Sequence, residues 1–192
     1  MSEAYEQLVD VEVSVKEAPA AAKKVLARLR ELGLIAGRLN KRCVLGESGY
    51  PAGPAIAKYC RFEKDFVELT NSGVETFIGR HFNVGALVDF HGLDCPACYT
   101  TTGPYEKRFG DAITRAVAEW TEQTGKAELT CPACKKKIPF TQWKCYPDLG
   151  FGNLSFTFWN WPQLDGANWK IDIPGIVAEV TGHKIVRTSG RV

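Results

Sequence analysis

Two matched cysteine pairs, Asp94-Cys95-Pro96-Ala97-Cys98 and Thr130-Cys131-Pro132-Ala133-Cys134-Lys135, constrain this chain more than any other feature. Two residues between cysteines make a tight turn that aims both sulfurs at one point. Amides just beyond the first sulfur can then donate to the thiolates. Two such turns facing each other supply four thiolates in a tetrahedron, the donor set of Zn²⁺ with bonds of about 2.3 Å. The expectation is one structural Zn²⁺ held by Cys95, Cys98, Cys131 and Cys134. Such a closed shell leaves no vacancy for water, so the metal argues for architecture and not for hydrolysis.

The pairs resemble the knuckles of zinc ribbons, which often read Cys-Pro-x-Cys followed by glycine or a basic residue. The resemblance spans residues 93–137. It implies a small metal-pinned subdomain in which those four cysteines are the ligands. The pairs stand 32 residues apart (99–130), longer than the roughly 15–20 of the common two-knuckle spacing. The excess accommodates a helix. A thioredoxin-type dithiol would place its first cysteine at a helix N-terminus. Here Cys98 runs instead into Tyr-Thr-Thr-Thr-Gly-Pro. Four thiolates around Zn²⁺ carry −2 locally, and Lys135-Lys136-Lys137 follow the second pair, favouring thiolate over thiol. Loading would take the formal chain charge from +2 to about 0.

The other cysteines, 43, 60 and 145, make seven in all. An odd count, with an acidic Met1–Glu6 start that lacks the basic-then-apolar order of an export signal, points to a reducing, cytoplasmic setting without a disulfide framework. Cys43 and Cys60 read as small buried residues. Cys145 and His91 are the spare ligands nearest the pairs, with His91 expected to pack beside a knuckle. No run of apolar residues reaches the roughly 18 of a membrane helix.

Of 192 residues, 45% are hydrophobic and 24% charged, enough apolar material for a real core. Residues 8–15 alternate with period two, predicting a strand with its odd positions inward. Residues 17–32 switch to helical period, with Ala22, Val25, Leu29 and Leu32 on one face, Pro19 in the first turn and Gly33 as a left-handed C′ residue. Lys23, Lys24, Arg28 and Arg30 give that helix a basic side. A short strand is expected at Cys43–Leu45, followed by a glycine- and proline-rich surface loop. Phe66–Leu69 and Val74–Ile78 flank Thr70–Gly73 as a hairpin, and Ala86–Phe90 reads as another strand.

Between the pairs, residues 104–124 form a strongly amphipathic helix (Phe109, Ala112, Ile113, Ala116, Val117, Trp120), with Gly103 as N-cap. Residues 138–145 read as extended and 153–161 as a strand covered on both faces. A helix starts at Pro174 and stops at Gly182, and a strand over 183–188 ends the series. The fold class is therefore α+β: a mixed or antiparallel sheet with two packed helices. A ferredoxin-like split arrangement is one way to share the sheet, and the zinc-ribbon insertion carries its own helix. The expected organisation is one compact body over 1–192, with the knuckle subdomain at 93–137 between units at 1–92 and 138–192.

Catalytic signatures are missing from the sequence. Three histidines (81, 91, 183) sit in no nucleophile motif, and there is no His-Glu-x-x-His, Rossmann or phosphate-loop pattern. An enzyme with an unrecognised site stays the least supported class, and no nucleotide cofactor is expected. The leading expectation is a non-catalytic protein that binds another protein, of regulatory, adaptor or toxin-neutralising type, with Trp159, Trp161 and Trp169 as interface anchors. The alternative is nucleic-acid binding. Residues 126–146 carry five lysines against one acid, a net +4, with Lys135, Lys136, Lys137, Trp143 and Lys144 as the basic and aromatic contacts.

Overall fold

The computed structural model describes residues 3–61, 65–82, 92–103, 107–146 and 149–192, with backbone alone for Lys107 and Tyr146. A five-stranded sheet is built from β1 (Ala4–Asp10), β2 (Gly49–Pro51), β3 (Gly73–Phe82), β9 (Phe151–Trp159) and β10 (Ile185–Arg191), in the order β10-β1-β9-β3-β2. Every neighbouring pair is antiparallel. Without the short edge strand β2, the strands stand fourth, first, third, second in chain order, which is the split βαβ arrangement. The connections α1 (Ala18–Glu31) and α4 (Ile173–Thr181) contact each other, α1 also packs on β3 and β9, and a single turn, α2 (Ile56–Tyr59), follows β2. The chain is α+β, as the alternation of sequence periods implies.

The helix-facing side of β9 carries Leu154, Phe156 and Phe158, all fully buried, with Leu8 of β1 beside them. From α1 come Ala22, Val25 and Leu29. Gly33 adopts φ +68° after α1, and the Leu34 amide donates to the Leu29 carbonyl at 2.9 Å. That closes the helix with both leucines buried. Gly182 closes α4 in the same left-handed region, at φ +73°.

Several boundaries differ from expectation. β1 stops at Asp10 because its carboxylate accepts from the amides of Glu12 (3.1 Å) and Val13 (2.9 Å), turning the chain out of the sheet. Val15 is therefore exposed, and both Leu8 and Val9 are buried. Cys43–Leu45 is not a strand; the pairing falls in the following loop as β2, an edge position that tolerates Pro51. Residues 65–68 form one 3₁₀ turn instead of a hairpin arm, because only Phe66 turns inward, against the rings of Trp161 and Trp169. Ala86–Phe90, His91 and the start of the 104–124 helix lie outside the described residues.

Two histidines work against each other on this frame. His183 Nδ1 lies 2.9 Å from the fully buried Asp10 carboxylate. That bond holds its pKa above the usual 6.5. His81 Nε2 sits 2.8 Å from the Gln7 amide nitrogen, and burial pushes its pKa below 6.5. The His183 contribution is full below about pH 6.5 and is lost as pH rises through its folded value. The His81 penalty has the opposite sign: stability falls as pH drops from about 6.5 through its folded value. Denaturant unfolding of the metal-loaded protein should therefore show greatest stability near pH 6.5. The decline toward pH 8.5 should disappear in His183→Gln and persist in His81→Gln.

Candidate metal centre

A second core cluster runs from Phe82 at the end of β3 to Phe151 at the start of β9. Here β4 (Gly92–Asp94) pairs with β5 (Thr101–Thr102) and with β8 (Lys144–Tyr146), while β6 (Glu128–Thr130) pairs with β7 (Lys137–Pro139). The first cysteine pair occupies the β4–β5 turn and the second the β6–β7 turn. Between them α3 (Lys107–Glu122) turns Phe109, Ile113 and Ala116 inward, packing on β3 and β6. This is the helix that the long spacing implied. Its return is pinned by Glu119, whose carboxylate accepts from the Ala127 amide at 2.8 Å.

Both turns have the same internal wiring. The Tyr99 amide donates to the Cys95 carbonyl at 2.8 Å and the Lys135 amide to the Cys131 carbonyl at 3.0 Å. Amides inside the turns reach the first sulfurs: Ala97 to Cys95 Sγ at 3.4 Å, Cys134 to Cys131 Sγ at 3.5 Å. The four sulfurs lie within 4.8 Å of one another. Cys95 and Cys134 are 3.8 Å apart and Cys98 and Cys131 3.6 Å. A tetrahedron with metal–sulfur bonds of about 2.3 Å has edges of about 3.8 Å, so the donor set fits a tetrahedral thiophilic ion.

Electrostatics favour a cation here. The hydroxyl and amide of Thr100 hold the Cys98 thiol down to about 6. The Lys136 amide favours the Cys134 thiolate, yet burial and the three neighbouring sulfurs push it up to about 11. Four thiolates cannot share so small a volume without a positive charge among them. Cys145 is buried outside the cluster. Cys43 and Cys60 are buried as expected, and burial also pushes the Cys43 thiol up.

The other candidate residues are placed differently. Trp159, Trp161 and Trp169 are 9%, 4% and 2% exposed. The expectation that they present an interface is corrected: strand β9 ends at Trp159, and Trp161 folds back to stack on Trp169 at 5.4 Å in the main core. Trp143 is also buried, 5.8 Å from the Phe109 ring, with its indole N–H toward the Ile138 carbonyl. Of the basic–aromatic set, Lys135, Lys136, Lys137 and Lys144 are exposed, but Trp143 and Phe140 face the core. The Trp143 and Phe140 rings thus point away from the solvent into which the lysines extend.

Sequence reasoning missed one residue at this centre. Tyr99 is 83% exposed and holds φ +58°; Lys135 occupies the equivalent place at φ +62°. The signal was present, since this is the position that zinc-ribbon knuckles commonly give to glycine. Among the described residues no helix is long and apolar enough to cross a membrane. Compared with protein-family models, with curated proteins and with solved structures, the chain matches none, so its function is argued from the site alone.

Proposed function

We propose that this is a non-catalytic protein whose cysteine cluster holds one structural Zn²⁺ and which acts by binding a partner protein, in an adaptor or toxin-neutralising role. Four thiolates at tetrahedral spacing suit Zn²⁺ and leave no open coordination position, which supports architecture over chemistry. The observation that carries partner binding is Tyr99. A left-handed backbone costs a non-glycine residue about 1–2 kcal/mol; both knuckles take it at this position, Tyr99 at φ +58° and Lys135 at φ +62°, so the turn sets the backbone and the exposed ring is what marks Tyr99 out. That ring stands on a turn that the metal makes rigid. Tyrosine is a favoured interface anchor, because it brings large contact area at low entropic cost.

Tyr99→Gly separates stability from function. It should stabilise the metal-loaded fold by about 1 kcal/mol, read as a raised unfolding midpoint, by relieving the left-handed strain. The same change should abolish capture of the cognate protein by the full chain used as bait. If wild type and Tyr99→Gly retain the same proteins, Tyr99 is not the anchor. If only nucleic acid is retained, and salt releases it with a log–log slope of about −2 to −3, the exposed lysines carry the function instead.

A further inference from the structure

The two edges of the main sheet are built differently. β2 has three residues and ends on Pro51, which cannot donate a ladder hydrogen bond. β10 has seven, with no proline and an unbroken register against β1, its single neighbour among the described residues. Glu3 and Val192 exchange amide–carbonyl bonds of 2.9 Å each. With that register they fix the phase: Val186, Thr188 and Gly190 turn their backbone groups toward β1, and Ile185, Arg187, Ser189 and Arg191 turn theirs outward. Those four outward amides have no acceptor among the described residues. An open row of N–H and C=O groups is a template for another strand, which is why proteins commonly blunt such edges. Beside the first half of β10 opens a cleft of about 780 Å³, whose walls also include residues 141–145. Lys144, Lys184 and Arg187 line it with Glu12 as the single acid, and residues 184–191 hold three cations and no acid.

We infer that β10 accepts an extended acidic segment of a partner protein as an added antiparallel strand, bound along the cleft. This rests on the reading of the chain as a partner-binding protein and gives that partner a second contact, separate from Tyr99. Every pair in the sheet is antiparallel, and antiparallel addition is the more stable kind. Charge selects the occupant. A second copy paired β10 to β10 would bring Lys184, Arg187 and Arg191 against the same three cations, and like charges on facing strands destabilise. Arg187, though 3.6 Å from Glu6, keeps 41% of its side chain exposed. Geometry then places the carboxylates. Ile185 packs on the main core beneath the helices, so Arg187, Ser189 and Arg191 share that face, while the Thr188 hydroxyl turns to the opposite face and Gln7. Residues that exchange hydrogen bonds in an antiparallel ladder lie opposite each other, with side chains on the same face. The acidic residues of the segment are therefore the ones whose amides bond to β10, and apolar residues alternate with them beside Val186.

The probe is a fluorescently labelled, capped peptide as long as β10 that alternates glutamate with valine, read by polarisation against the metal-loaded full chain. It should bind tighter than about 1 mM, and its lysine–valine counterpart should not bind. N-methylation of the glutamates removes the donors that face β10 and should weaken binding at least about tenfold. N-methylation of the valines, whose amides face away, should leave binding close to that of the parent peptide. Ser189→Pro deletes an outward amide that β1 does not use, so it should weaken binding at least about tenfold at an unfolding midpoint close to wild type. Arg191→Glu, a change at an exposed side chain, should weaken it about threefold. Tyr99→Gly should bind the peptide as wild type does, which keeps failure at β10 distinct from failure of the Tyr99 anchor. Three results would each overturn the inference: no peptide binding tighter than about 1 mM, binding that survives N-methylation of the glutamates, or a dimer at roughly 100 μM that Ser189→Pro dissolves, which would make a second copy the occupant.

Discussion

Metal analysis of the purified, reduced protein should return about one zinc per chain, and Cys95→Ser or Cys134→Ser should abolish it. Each variant should also lose several kcal/mol of stability, because the free energy of structural metal binding is folding free energy. The loss should be unevenly distributed. Leu93, Leu129, Phe140 and Ile138 pack around the cysteines, and β4–β8 are strands of two or three residues that cannot hold themselves together. The main sheet has its own core, with Leu8, Leu154, Phe156 and Phe158 beneath α1 and α4. Chelation should therefore strip hydrogen-exchange protection from the amides of β6 and β7 first, leaving those of β1 and β9 protected. Cys145→Ser should leave zinc content unchanged, its thiol lying outside the four-sulfur cluster. A metal-free protein that unfolds in one cooperative step with protection intact at Leu129 and Ile138 would refute the zinc assignment.

The cysteine cluster was legible because its geometry is local: each pair is fixed by its own turn, and only the meeting of the turns is a tertiary fact. Both main helices were legible for a similar reason, since their caps, Pro19, Gly33 and Gly182, act within a few residues. Strands fared worse where burial alone had to decide. Phe66–Leu69 has strand-like composition, but one aromatic ring packed at an angle against the stacked pair Trp161 and Trp169 is worth more than extending the segment. The end of β1 depends on the Asp10 side chain capping the next turn, a contact that hydrophobic alternation does not report. The polar pairs on the sheet, Gln7 with His81 and with Thr157, join residues far apart in sequence. No period or spacing brings those together.

Tryptophan illustrates why composition alone misleads about surfaces. Trp and Tyr are enriched at interfaces, but the same large apolar ring is worth most when fully buried. Trp169 is 2% exposed, stacked on Trp161 and 6.4 Å from Phe66, and its indole N–H reaches the Pro162 carbonyl. Its backbone also bridges to Cys60 across the chain. Trp169→Ala should cost about 3–5 kcal/mol, the range for removing a buried large aromatic. Against a total of about 5–15 kcal/mol for a domain, that leaves the variant close to unfolding. Trp169→Phe, keeping an aromatic contact but forfeiting the indole hydrogen bond and some volume, should cost less than half as much. Urea titration of both variants checks the ratio, and zinc content should stay at one per chain in Trp169→Phe. If Trp169→Ala unfolded at the wild-type midpoint while losing a bound protein, the ring would belong to a surface after all, and the core placed beneath α1 and α4 would need a different centre.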